Sequence, residues 1–193
     1  MNTLFNKRSF FLFTGVILIF LCIVFFFLYI QKETIPTIQN QPIASAITGL
    51  PIRLIIPAIN VDAHIQHVGL TPDGNMEVPN NTIDVGWFKL GSRPGEKGSA
   101  VISGHMNGEN GETGVFAQLS KLKNGDTGTV TDDNGTVLLF IVQETRVYDV
   151  GYAEEVFSAN DTAHLNLITC DGVWDETKAS YTKRLIVFTD IIL

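Results

Sequence analysis

From Ile52 onward the chain is cut into short apolar or alternating runs, and this limits its fold more than any other feature. The runs are Ile52–Ile56, Ile59–Val68, Ala100–Ser103, Gly128–Thr131, Val137–Val147, Leu165–Thr169 and Arg184–Ile191. Between them stand Pro72-Asp73-Gly74, Asn124-Gly125-Asp126 and Asp133-Asn134-Gly135, residues that suit tight turns. Strands of this length and spacing predict an all-β barrel or sandwich. Only Val115–Leu122 has a helical pattern, with Val115, Phe116, Leu119 and Leu122 on one face, enough for one or two turns. No internal repeat is visible, and about 140 residues can bury one sizeable core without a metal or a disulfide.

The N-terminal segment is of a different kind. Eight of the 13 Phe and none of the 20 acidic residues lie in the first 30 positions. Phe10–Ile30 carries no charge over 21 residues, a length that would cross a hydrocarbon core of about 30 Å as a helix. The sole small-residue cleavage-like site, Ala44-Ser45-Ala46, lies well past the run, which favours an anchor over a signal peptide. Lys7 and Arg8 precede the run, while Lys32 and Glu33 cancel after it. The expected layout is therefore a cytoplasmic stretch 1–9, a single transmembrane helix 10–30, a Pro-containing linker 31–51 and an outer domain 52–193 at the membrane face. Without Lys7 and Arg8 the formal charge moves from −7 to −9. So acidic a body, with no basic cluster, argues against nucleic acid as a partner.

Two cysteines divided between these segments, Cys22 and Cys170, do not make a disulfide framework. His64 and His67 are three apart on a predicted strand and point to opposite faces, a poor metal pair. No zinc spacing and no phosphate-binding glycine loop occurs, so neither a metal nor a cofactor is expected. Three residues at run ends remain. His105 follows Ser99-Ala-Val-Ile-Ser103 in a glycine-containing turn, Cys170 closes Asn166-Leu-Ile-Thr-Cys170, and Arg184 opens Arg184-Leu-Ile-Val-Phe188. A thiol nucleophile, an imidazole acid–base and a guanidinium for an oxyanion are the functions acyl transfer needs. The 65 residues between His105 and Cys170 leave open whether the three converge.

Those pieces, in that order, resemble the sortases, membrane-anchored cysteine transpeptidases of Gram-positive cell surfaces. Gly98-Ser-Ala-Val-Ile-Ser-Gly-His105 is similar to the family's His segment, Leu167-Ile-Thr-Cys170 to its Leu-x-Thr-Cys motif, and Lys183-Arg184-Leu-Ile-Val187 to its Arg-bearing last strand. Arg53-Leu-Ile-Ile-Pro-Ala-Ile-Asn60, Val85-Gly-Trp-Phe88 and Pro94-Gly-Glu-Lys-Gly98 look most like class F, with class D or E next. The resemblance implies a closed β-barrel of about eight strands with one or two short helices. It implies a Cys170 thioester formed at the Thr–Gly bond of an LPxTG-type sorting signal, with His105 as acid–base and Arg184 holding substrate or oxyanion. The partners would be secreted proteins bearing that signal and an amine acceptor, either a cell-wall precursor or a pilin lysine. Asn166 stands where the motif usually has Thr. Thr169 is expected to line the signal's groove and Asn107 to orient His105. Asp171, Trp174 and Tyr181, in a variable loop of about Asp171–Lys183, are candidate substrate contacts. A loop of about Tyr148–His164 is the other variable segment, and its Asp149, Glu154 and Glu155 do not define a calcium site. An L,D-transpeptidase or a papain-like protease fits less well, since the context of Cys170 and the His-before-Cys order differ from theirs. A non-catalytic tethered β module is the alternative from another class.

Overall fold

The computed structural model describes residues 25–26, 49–108, 110–151, 155–158 and 162–192. Eight strands form one closed barrel: β1 (Pro51–Ile56), β2 (Val61–Val68), β3 (Val85–Phe88), β4 (Gly98–Gly104), β5 (Thr127–Asp132), β6 (Val137–Asp149), β7 (Ala163–Asp175) and β8 (Ser180–Ile192). Around the barrel the order is β1-β2-β3-β4-β7-β8-β6-β5, closed by β5 against β1. Neighbours are antiparallel except β2–β3 and β4–β7, which are parallel. A parallel pair cannot be joined by a tight hairpin, so long segments must link β2 to β3 and β4 to β7, and these carry the loops at the site.

Strand alternation separates two apolar layers. Leu165 and Leu167 on β7, Leu185 and Val187 on β8, and Ala100 and Ile102 on β4 point into the barrel, where Phe116, Phe140 and Trp87 complete the core. The intervening residues Val101, Ile168, Ile186 and Phe188 form a second cluster on the outer face of β4–β7–β8, capped by Val156. The predicted helical face at Val115–Leu122 is a turn followed by a 3-10 helix, Leu119–Lys121. Its buried Phe116 and Leu119 plug the barrel.

The runs read from the sequence fall on strands, apart from Ile59 and Asn60, which belong to a 3-10 turn before β2. Two features differ. The four-residue β3 has no strand signature in the sequence, because Val85-Gly-Trp-Phe88 is too short to show a period. The expected variable loop Asp171–Lys183 is instead mostly hairpin, since β7 runs on to Asp175 and β8 starts at Ser180. Cross-strand pairing carries polar residues into the ladder that the sequence pattern assigns to loop.

The expected transmembrane helix is corrected. No helix among the described residues is long and apolar enough to cross a membrane. Of the 10–30 run, Phe25 and Phe26 alone are described, as exposed helical residues; the rest of the run, the linker through Thr48 and Cys22 lie outside the described residues. A single-pass topology, and the membrane localisation drawn from it, are not supported. The apolar run satisfies the length criterion for a span, but length and hydropathy alone do not establish a helix.

Asp132 ties the barrel closure together. At the end of β5 its carboxylate accepts from the backbone N–H of Gly49 (2.7 Å), Asn134 (3.0 Å) and Thr136 (2.7 Å), joining the start of the barrel to the β5–β6 turn. Burial pushes this carboxyl up, but those backbone donors together outweigh it and hold it below the usual carboxylate range. A carboxyl so depressed contributes stability that is present above its unfolded value and is lost as pH falls through its folded one. Asp132→Ala is expected to lower stability at neutral pH by about 1–3 kcal/mol, with a flatter loss on acidification below about pH 4 than the parent. Urea denaturation across pH checks both, and parallel pH curves for the two proteins would refute the assignment.

Candidate active site

Adjacent strands β7 and β8 carry Cys170 and Arg184, and His105 directly follows their neighbour β4. Cys170 on β7 and Arg184 on β8 are direct cross-strand partners. On the other side of β7, Ser103 of β4 pairs with Ile168 in parallel register. Two residues further on stand His105, just past the end of β4, and Cys170 on β7. Val101 and Ser103 alternate with the inward Ala100 and Ile102, so His105 continues the outer-facing set, as Cys170 continues Asn166 and Ile168. The register thus places His105, Cys170 and Arg184 at neighbouring positions on the outer side of β4, β7 and β8, beyond the largely buried apolar cluster of Val101, Ile168 and Ile186. Cys170 is a free, half-buried thiol.

The backbone around His105 is held on every side. Gly104 packs so closely on Phe116 that a Cβ there would come within 2.5 Å of the ring. A Cβ on Gly114 would overlap the His105 carbonyl. That carbonyl accepts from Phe116 N–H at 2.9 Å. The buried Thr169 hydroxyl donates to the Gly104 carbonyl at 2.8 Å, bracing the end of β4 against β7 one residue before Cys170. Thr169, expected in the groove, is only 4% exposed and faces inward, because its neighbour Cys170 takes the outer position.

The imidazole is held as well. Its Nε2 lies 2.8 Å from the Pro79 carbonyl, in the segment linking β2 to β3. That segment is ordered by side-chain amides. Gln66 on β2 accepts from Asn80 N–H (3.1 Å) and donates to Asn80 Oδ1 (2.8 Å) and Asp84 Oδ2 (2.9 Å). Asn81 donates to Asp84 Oδ2 (2.8 Å) and accepts from the Asp84 N–H (2.8 Å). The Asn81 and Gln66 amides hold the Asp84 carboxyl below its usual range. Val115 N–H donates to the Thr82 carbonyl at 2.8 Å, joining this segment to the loop that fixes the His105 backbone.

Arg184 is fixed by its own strand. Its Nη1 donates to the Tyr181 (2.9 Å) and Lys183 (2.8 Å) carbonyls, and Nη2 to Ser180 Oγ (3.1 Å). Three of the five guanidinium N–H groups are thereby engaged. Nε–H and one Nη2–H remain, and among the described residues no carboxylate pairs with Arg184.

Beyond Cys170, β7 has a bulge between Asp171 and Trp174. Gly172 adopts φ +82° there, and Val173 N–H donates to Thr182 Oγ1 at 3.1 Å. The extra residue sets Trp174 opposite Tyr181, ring on ring edgewise at 5.3 Å. The Tyr181 hydroxyl donates to Asn107 Oδ1 at 3.0 Å. Asn107 therefore meets the hairpin, and among the described residues it makes no hydrogen bond to His105. Half-buried Asp171 pairs with Lys183 across the ladder. The loop before β7 is held by Asn166, buried at the position usually Thr, whose Nδ2 donates to the Val156 carbonyl at 2.7 Å.

A sortase domain model matches residues 54–192 of this chain. The chain belongs to the sortase family. No curated protein matches it. Solved structures with the same fold include sortase C-1 from Actinomyces oris, at 23% identity over 74% of this chain and 75% of that one, TM-score 0.57. Sortase C1 from Streptococcus agalactiae shares 26% identity over 74% and 67%, TM-score 0.57. A lid mutant of sortase A from Corynebacterium diphtheriae shares 21% over 76% and 72%, TM-score 0.59.

The sequence reading misses Pro79, Gln66, Asp84 and Ser180. Pro79 acts through its carbonyl, which no side-chain pattern reveals, and Gln66 reads as an ordinary polar strand position. No group of three or more His, Cys, Asp or Glu side chains able to hold a metal occurs among the described residues. His64 lies 4.0 Å from Asp84, and His67 bonds the Pro51 carbonyl. Thr169→Val keeps the shape of Thr169 but removes the bond to Gly104. It should cost about 1 kcal/mol, read as a lowered Tm; an unchanged Tm would show that the brace contributes nothing.

Proposed function

We propose that this sortase-family protein is a cysteine transpeptidase that cleaves an LPxTG-type sorting signal between Thr and Gly and passes the acyl group to an amine. The neighbouring positions of His105, Cys170 and Arg184 on the outer side of β4, β7 and β8 carry this reading. In it, the Cys170 thiol gives its proton to His105 and the thiolate attacks the Thr carbonyl carbon. The resulting oxyanion is met by Nε–H and the remaining Nη2–H of Arg184, with which no carboxylate pairs among the described residues. As the C–N bond breaks, His105 returns the proton to the departing Gly nitrogen, leaving a Cys170 thioester. An incoming amine, from a cell-wall precursor or a pilin lysine, loses a proton to His105 and expels the thiolate. Asp171, Trp174, Tyr181 and Asn107 would line the signal's path at the hairpin end. Secreted proteins bearing the signal are the donor partners. The class F-like branch, with D or E next, rests only on the sequence pieces named for it, whereas the solved structures with this fold include C, A and D sortases.

The purified protein should cleave a fluorogenic LPxTG-type peptide and, with an amine supplied, form the transpeptidation product. Cys170→Ala should abolish both, and Arg184→Ala should lower kcat by roughly 10²–10³. Mass spectrometry of the trapped protein should find the acyl adduct on Cys170. If no adduct forms across a panel of such peptides with an amine present, the reading is wrong.

A further inference from the structure

The oxygen facing His105 carries no proton. A carbonyl can only accept, so the 2.8 Å contact between Nε2 and the Pro79 oxygen requires hydrogen on Nε2 in the neutral ring as well as the cation. Among the described residues Nδ1 has no hydrogen-bond partner. The neutral ring then has one lone pair able to take a proton, on Nδ1.

What fixes that carbonyl is the other edge of the same peptide unit. The Pro79 C=O and the Asn80 N–H belong to one planar trans amide and point in opposite directions. The N–H donates to Gln66 Oε1 at 3.1 Å. Gln66 therefore grips this peptide plane on one side while His105 meets it on the other. Gln66 is itself anchored, because its two amide hydrogens go to Asn80 Oδ1 and to the Asp84 carboxylate. Rotating the Pro79–Asn80 plane would break the His105 bond and the Gln66 bond together. Pro79 is buried, while Asn80 is exposed, so the bonds to Gln66 hold the solvent side of the plane.

We propose that Gln66 is a positioning residue for His105: by clamping the Pro79–Asn80 peptide it keeps the imidazole in the Nε2–H tautomer and assigns proton transfer to Nδ1. The catalytic meaning of this rests on the transpeptidase reading; the tautomer does not. In the reaction, Nδ1 takes the Cys170 thiol proton and later gives it to the leaving Gly nitrogen, while Nε2 keeps its hydrogen, donated to the Pro79 carbonyl, throughout.

Long-range ¹H–¹⁵N correlation of the imidazoles in the ¹⁵N-labelled full chain, at a pH where the ring is neutral, reads the tautomer directly. The parent should show a pyrrole-type Nε2 and a pyridine-type Nδ1 for His105. Gln66→Met, which keeps the side-chain length but cannot hydrogen-bond, should move both nitrogens toward averaged shifts and speed hydrogen exchange at Asn80 N–H. If Gln66→Met fails to fold, Asn80→Ala, at an exposed site, removes one of the three bonds and should move the shifts the same way by less. A protonated Nδ1 in the parent, or an unchanged tautomer in the folded variant, overturns the proposal. With a cleavable peptide, Gln66→Met should lower kcat about tenfold or more and leave KM within about twofold. If the tautomer responds as expected but the parent cleaves no sorting peptide, the clamp stands and the transpeptidase reading falls. If the parent cleaves peptide and the variant keeps both tautomer and kcat, the clamp falls and the transpeptidase reading stands.

Discussion

The register of β7 between β4 and β8 is the constraint on which the rest of this molecule depends. Parallel pairing on one side sets Ser103 beside Ile168, and antiparallel pairing on the other sets Cys170 beside Arg184. Because side chains alternate with a period of two, a slip of one residue on any of these strands would send its functional group into the barrel and its core Leu or Ile outward. The same apolar residues that fill the barrel therefore also fix which side chains face outward. Core packing and the placement of chemistry are one problem here, solved by Leu165, Leu167, Leu185 and Val187.

Around this frame the loops act as braces. Thr169 and Phe116 hold the end of β4, the Pro79 carbonyl holds the imidazole, and Ser180 with two strand carbonyls holds the guanidinium. Each of the flanking groups is fixed by hydrogen bonds to the protein rather than left to rotate. The cost of ordering them is met on folding, before a substrate arrives.

How much of this can be read in the sequence follows from what each part is made of. The positions of His105, Cys170 and Arg184 stand out in the sequence because each ends or opens an apolar run, and the barrel is legible because those runs are short. Thr169 is misplaced by a reading of the sequence, since adjacency to Cys170 means the opposite face in a strand. The hairpin beyond Cys170 is expected as a variable loop from the family resemblance; in the fold Asp171 enters a bulge and the strand continues. Gln66 and Pro79 are invisible because they act through an amide contact and a carbonyl, and neither has a sequence period. The N-terminal run illustrates the opposite error, a strong compositional signal for which the described residues show no spanning helix.

The bulge at Gly172–Val173 has a consequence for how such a protein can change over time. It lies just past the Cys170–Arg184 pair, and it absorbs a one-residue mismatch between β7 and β8 before the hairpin reaches Trp174 and Tyr181. Without that joint the one-residue mismatch would fall on the register of Cys170 and Arg184. With it, the tip that touches Asn107 can lengthen, shorten or exchange its aromatic residues while the pair behind it stays aligned. Divergence in what the hairpin meets is thereby uncoupled from the alignment of Cys170 with Arg184.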